Sequence, residues 1–290
     1  GGAILRFDLG GAPLLRPAPD DSGPADVACF PLAPLGNRIR GNAFAHAGQR
    51  HRVTPNVAGE PLHLHGERWL AEWRIEALAP DRLLLSHRYD GARLPHRYHL
   101  RQLFELDRLG LHLRLALTNL GAAALPFGLG WHPFFPLSPG LRLTTSALAM
   151  WSEGGDHLPL AKAPVPPKLD FAAGGPLPAE WINNAFAGWS GRAALVWPDR
   201  GLRLDLRADP VFDVMQLYRP APGHGDFFAL EPMSHLPGAL PDPQSGPPSD
   251  PQSDTPSHGL HILGPGESLA GSLHLSPAQS GMTDFRRSLP

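Results

Sequence analysis

Proline and glycine interrupt this chain so often, 35 and 32 times over 290 residues, that almost no stretch is left in which a long helix could run. What lies between the interruptions is short and apolar, and in places it alternates. Leu111, Leu113, Leu115 and Leu117 alternate with His112, Arg114, Ala116 and Thr118. Leu202, Leu204 and Leu206 do the same with Arg203, Asp205 and Arg207. Leu269, Leu273 and Leu275 repeat the device after the turn Gly264-Pro265-Gly266. A period of two puts one set of side chains on a buried face and the other in water. Residues 82–89, 97–106 and 193–197 are further strand candidates, and short helical turns are expected only around 178–186. The pattern predicts an all-β chain folded as a large antiparallel β-sandwich.

No repeat of fixed period and no shift in composition marks a boundary, so residues 1–290 read as a single domain. Residues 237–258 are rich in Pro, Ser, Gly, Asp and Gln and cannot bury enough apolar surface to order themselves. They read as a mobile loop within the domain, because a strand pattern resumes at Leu260-His261-Ile262-Leu263.

Charge excludes two classes of partner. With Lys+Arg 25 against Asp+Glu 27, there is no electrostatic case for nucleic acid or an anionic membrane. No apolar run approaches the length of a membrane span. Cys29 is the only cysteine, so neither a disulfide framework nor a thiolate metal site is available. A reducing, cytoplasmic location fits that count and an N-terminus without a signal-peptide pattern.

Four polar clusters could carry chemistry. The densest is Gly128-Leu129-Gly130-Trp131-His132-Pro133-Phe134-Phe135-Pro136, one histidine among large apolar faces. Such a histidine is either a satisfied core residue or a proton carrier tuned by burial. In Phe228-Ala229-Leu230-Glu231-Pro232 a lone carboxylate stands in an apolar frame. It is either held by backbone amides at a strand end or raised in pKa towards base catalysis. Gly36-Asn37-Arg38-Ile39-Arg40-Gly41 offers an arginine fork for ligand hydroxyls, or a surface ion pair. In Leu62-His63-Leu64-His65-Gly66 the two histidines would share a strand face. The carboxylate spacing around them argues against a metal site, and a loop beside a pocket would use them as hydrogen-bonding groups instead. The residues by themselves lead as far as a β-sandwich with a polar, aromatic-lined cleft suited to a carbohydrate, with His132 and Glu231 as a plausible acid–base pair.

Taken in order, these clusters resemble the aldose 1-epimerase (galactose mutarotase) family. Leu117-Thr118-Asn119-Leu120-Gly121 followed by Leu125-Pro126-Phe127-Gly128-Leu129-Gly130-Trp131-His132-Pro133-Phe134-Phe135 is similar to the family's "T-N … P-x-G-x-G-x-H-P-Y-F" strand and loop. Asn37-Arg38-Ile39, Leu64-His65-Gly66, Leu230-Glu231-Pro232 and the closing Pro265-Gly266-Glu267-Ser268 match further segments. Asn183-Asn184-Ala185-Phe186 resembles the family's D-N-x-F. The resemblance implies a galactose mutarotase-like supersandwich with a sugar in an open cleft. Glu231 would be the base at the anomeric O1 hydroxyl and His132 the acid at the ring oxygen, facing each other across a sugar-sized gap. Arg38 and His65 would hold sugar oxygens. Asn183 and Phe134 complete the expected sugar-binding set but depart from the pattern: Asn183 replaces an aspartate and can still bind a hydroxyl, and Phe134 replaces a common tyrosine, so one hydroxyl contact is missing. The chemistry implied needs two proton carriers and no cofactor. The expected partner is a small sugar, and the chain would work as a monomer or homodimer. Some relatives act on hexose 6-phosphates, for which Arg40 or Arg74 could serve. A non-catalytic sugar-binding protein on the same fold is the other reading.

Overall fold

The computed structural model describes residues 1–20, 23–24, 26–241 and 258–279. Among them, two antiparallel sheets carry the fold, one of seven strands and one of nine. The seven strands, in chain order, are β1 (Cys29–Leu32), β2 (Gly130–Pro136), β3 (Ala149–Glu153), β4 (Pro159–Ala163), β5 (Ile182–Ala187), β6 (Val214–Arg219) and β7 (Phe227–Met233). In space they run β4-β3-β5-β6-β7-β2-β1.

The nine-stranded sheet contains the leucine alternations. Gly110–Asn119 lies between Tyr98–Asp107 and Ser268–Gln279. Along it Leu113, Leu115 and Leu117 are buried while Arg114 is exposed, as a period of two requires. Each such leucine stabilises the fold by roughly 1.5–3 kcal/mol relative to an exposed one. Aromatic side chains join the two sheets. Trp131 of β2 packs against Phe212 at 5.3 Å between ring centroids. Trp197, from the other sheet, donates its indole N–H to the Pro136 carbonyl at 2.9 Å, so this fully buried indole leaves no polar atom unpaired. The buried apolar residues of both sheets form one contiguous cluster.

Two expectations change. Residues 178–186 hold no helical turn, because Ile182–Ala187 is strand β5, paired with β3 and β6 on its two sides. Its buried residues are Ile182, Ala185 and Phe186, a spacing that imitates one helical face. Ladder hydrogen bonds to two neighbours override that pattern. At its start, the segment expected to be mobile over 237–258 is packed into the fold instead. Leu236, Ala239 and Leu240 are buried, and Leu236 N–H bonds the His258 carbonyl at 2.9 Å. Residues 242–257, the rest of that expectation, lie outside the described residues.

Candidate active site

Alternation on β2 sends Trp131 and Phe135 between the sheets and His132 to the opposite face. Beside it runs β7, with Gly130 opposite Met233 and Phe134 opposite Ala229. Keeping that register through the interval sets His132 against Glu231. The interval holds Pro133 and Pro232, which have no N–H to give to a ladder. His132 Nε2 comes within 3.2 Å of Glu231 Oε1. His132 and Glu231 therefore stand side by side on one sheet face, and the expected sugar-sized gap between them is absent. They form the floor of a cavity of about 190 Å³. That is below the range of drug-sized pockets and suits one small ring. Phe30, opposite His132 on β1, stacks on its imidazole with centroids 4.7 Å apart.

The segment between Asn37 and Gly66, which includes a hairpin of Ala43–His46 with Gln49–Arg52, supplies one wall through its non-strand residues. Asn37 and His65 both adopt positive φ of 58°, and each fixes the other. The Asn37 N–H donates to His65 Nδ1 at 3.1 Å, and the His65 N–H donates to the Asn37 carbonyl at 2.9 Å. Because Nδ1 accepts, the neutral His65 ring carries its proton on Nε2 and can offer a donor to a ligand. Gly66 at φ 65° lies where a Cβ would stand 2.1 Å from the Ala33 oxygen, so the glycine is a steric requirement. Arg38 lines the cavity and donates to Glu60 through Nε at 3.3 Å and Nη2 at 2.7 Å.

The opposite wall comes from β5 and β6. Asn183 donates through Nδ2 to Glu153 at 2.6 Å and accepts from Gln216 Nε2 at 2.7 Å. Phe134 is set back from the cavity. It touches the His132 ring, and the Arg16 guanidinium lies 4.2 Å over its face. Arg40 is engaged by Asp156 at 2.6 Å, and Arg74 lies on the exposed strand Arg74–Ala79 of the other sheet. His63 and His65 do not share a strand. His63 is buried with Nδ1 on the Thr54 carbonyl at 2.7 Å, and only His65 reaches the cavity. No group of three or more metal-ligating side chains occurs among the described residues.

Burial sets the electrostatics. Desolvation pushes His132 down to about 3 and Glu231 well above the usual carboxylate range, with the Arg38 charge pulling Glu231 partly back. His65 is likewise held well below its usual value by burial, then by the charges of His132 and Arg38. Burial therefore favours the uncharged form of both members of the pair, a neutral imidazole beside a protonated carboxyl, in the empty site. His132 Nδ1, Glu231 Oε2 and Gln216 Oε1 are all buried without a hydrogen-bond partner among the described residues. Such atoms are costly unless a ligand or a proton completes them.

Sequence reading missed part of this site. Trp181, Tyr218 and His157 line the cavity, and Glu153 and Gln216 stand behind Asn183. Gln216 and Tyr218 were detectable as polar positions alternating with Met215 and Leu217 on a strand. Nothing local in the sequence marks Glu153, His157 or Trp181, which are brought in by pairing distant strands.

Comparison with known proteins places this fold among the carbohydrate epimerases. The aldose 1-epimerase family profile matches residues 1–276, and the chain belongs to that family. It is 36% identical over 281 residues to the uncharacterized protein YphB of Escherichia coli K12, covering 95% of this chain and 92% of that one. A crystal structure of a candidate aldose 1-epimerase from Escherichia coli K12 superposes with a TM-score of 0.87 at 35% identity, over 96% of this chain and 93% of the other. The galactose 1-epimerase of Lactobacillus acidophilus shares the fold, with a TM-score of 0.73 at 15% identity over 97% and 90% of the two chains. No helix among the described residues is long and apolar enough to cross a membrane.

Proposed function

We propose that this protein is an aldose 1-epimerase that interconverts the α and β anomers of a free aldose by opening and reclosing the ring. The observation that carries the reading is the 3.2 Å approach of His132 Nε2 to Glu231 Oε1 on the floor of a cavity walled by Arg38, His65 and Asn183. The two reacting oxygens of an aldose, O1 and the ring oxygen, are bonded to one carbon. Two carriers standing side by side can reach both at once. Glu231 takes the O1 proton while His132 gives its proton to the ring oxygen, and the C1–ring oxygen bond breaks to leave the aldehyde. Rotation about C1–C2 presents the other face of the carbonyl, and the same two groups reverse their roles on reclosure.

A pair that shares one proton suits this cycle, because it carries the same total proton number before and after ring opening. Sugar hydroxyls entering the site, together with the Arg38 charge, favour the ionised form that ring opening requires. Arg38 and His65 hold hydroxyl oxygens, and Asn183 offers an amide oxygen on the far wall. Arg38, which lines the cavity, and Arg40 are already engaged by Glu60 and Asp156, which favours a neutral sugar over a hexose 6-phosphate.

Polarimetry or one-dimensional NMR of the anomeric protons on freshly dissolved α-D-glucose and α-D-galactose tests the reading. Catalytic amounts of protein are expected to speed the approach to anomeric equilibrium. No acceleration on these sugars or on hexose 6-phosphates would leave a non-catalytic sugar-binding protein as the better reading. His132→Asn is expected to lower kcat by about 10²–10⁴-fold, the usual contribution of a positioned acid, with KM changed far less. A kcat within threefold of wild type would remove His132 from the chemistry.

A further inference from the structure

Behind Asn183 runs a chain of side-chain hydrogen bonds with a definite direction. Glu153, at the end of β3, accepts from Asn183 Nδ2 at 2.6 Å, from the Trp181 indole N–H at 2.7 Å and from His157 Nδ1 at 2.5 Å. A carboxylate accepts and does not donate, so Asn183 must turn its NH₂ towards Glu153. That leaves the Asn183 oxygen to accept from Gln216 Nε2 at 2.7 Å. Gln216 is then left with its oxygen as the free end, and Oε1 is buried without a partner. The cross-strand neighbour of Gln216 on β7 is Glu231, whose Oε2 is also buried without a partner. Two lone acceptors at opposed positions of adjacent strands are reconciled by one proton between them.

We propose that Glu153 is a positioning residue, acting through Asn183 to fix the direction of the amide chain so that the Gln216 oxygen faces Glu231 and holds a proton there. This deepens the reading of Glu231 as the proton acceptor from O1, and rests on it. It also accounts for Asn183 standing where an aspartate is expected. The carboxylate that orients the chain has moved one link outward, to Glu153. The high pKa of Glu231 from burial points the same way, since an acceptor facing it favours the protonated form. Other charged or titratable groups around Glu231 are His132 from β2, Cys29 from β1, Tyr218 from β6, and Arg38 and His65 from the irregular wall. None of them belongs to the chain.

Reversing the chain gives the test. In Glu153→Gln the Trp181 indole, a donor only, draws the new amide oxygen to itself. The new NH₂ then meets Asn183, both downstream amides turn over, and Gln216 presents its NH₂ to Glu231. The Glu231 midpoint, read from the ¹³C side-chain carboxyl signal and assigned with Glu231→Gln, is expected to fall by about one pH unit or more, as a donor to the charged form requires. Adding Asn183→Asp to Glu153→Gln puts a carboxylate back in the chain, restores its direction, and is expected to return the midpoint to within about 0.3 unit of wild type on the same reasoning. If Glu153 only anchored Trp181 and His157, the second substitution would restore nothing. An unchanged midpoint in Glu153→Gln, or a lowered one that Asn183→Asp does not rescue, overturns the proposal. Should Glu153→Gln fail to fold, Asn183→Leu cuts the chain one link further in. The midpoint must fall there too, and an unchanged one overturns the proposal. The measurement needs no sugar, so absence of mutarotation would count against the proposed function and leave this test standing.

Discussion

Glu231→Gln is expected to lower kcat for anomer interconversion by about 10³-fold, within the range for loss of a general base, while the protein stays folded and melts at the same temperature or higher. Both halves come from one fact. Glu231 is 2% exposed, and burial holds its pKa well above the usual carboxylate range. A native pKa above the unfolded value means that ionisation opposes folding at neutral pH, so a neutral isostere removes a burden as well as a catalytic group. NMR exchange rates on α-D-glucose and a thermal melt on the same sample check the two effects together. A rate within tenfold of wild type would mean that another group takes the O1 proton. A large drop in melting temperature would mean that the carboxyl is needed for the fold.

Acidification to pH 4.5 is expected to unfold the protein cooperatively. His63, His96 and His235 are almost wholly buried, and burial pushes each of them down to about 4. A histidine whose folded pKa is depressed contributes stability above its unfolded value near 6.5. That stability is lost as the pH falls towards the folded value, because the unfolded chain takes up the proton first. At pH 4.5 each of the three forfeits about 2–3 kcal/mol, and together they approach the whole stability of an ordinary domain. Glu231, Glu67 and Asp213, raised by burial, run the other way and offset part of this, while His65 and His132, also depressed by burial, add to it. The hydrogen bonds of His235 show why no proton is taken up while folded. Nε2 accepts from the Gly36 N–H at 3.0 Å and Nδ1 bonds the Leu236 carbonyl at 2.8 Å, so a second N–H would point at a donor. Near-ultraviolet circular dichroism from pH 7 to 3.5 reads the transition. A native signal that persists at pH 4 would show that these rings are protonated inside the fold.

The strands were legible where a buried row of leucines alternates with residues that face water; Arg74–Ala79, exposed along its whole length, was not. Leu111 to Leu117 declare a strand because Arg114 and Thr118 interrupt them on the solvent side. Ile182 to Phe186 did not, because both faces of β5 are covered and the buried residues fall at helical spacing. The same limit applies to the site. His132 and Glu231 stand out in the sequence as polar residues in apolar frames, and Arg38 and His65 are marked by the glycines and asparagines around them. That the first two would touch depends on the register of β2 against β7, which no local signal carries. Glu153 is an ordinary surface glutamate in the sequence, and only the pairing of β3 with β5 brings it behind Asn183.

The proposed proton carriers, His132 and Glu231, stand on two strands that are each hydrogen-bonded on both sides, whereas the groups that would grip the sugar project from the segment between Asn37 and Gly66 and from strand ends. Chemistry and recognition are therefore anchored to different parts of the fold. Substitutions, or even insertions, between Asn37 and Gly66 or around His157 can reshape which hydroxyl pattern is welcomed without disturbing the spacing of His132 and Glu231. A scaffold divided in this way can change its diet over generations while its reaction stays the same.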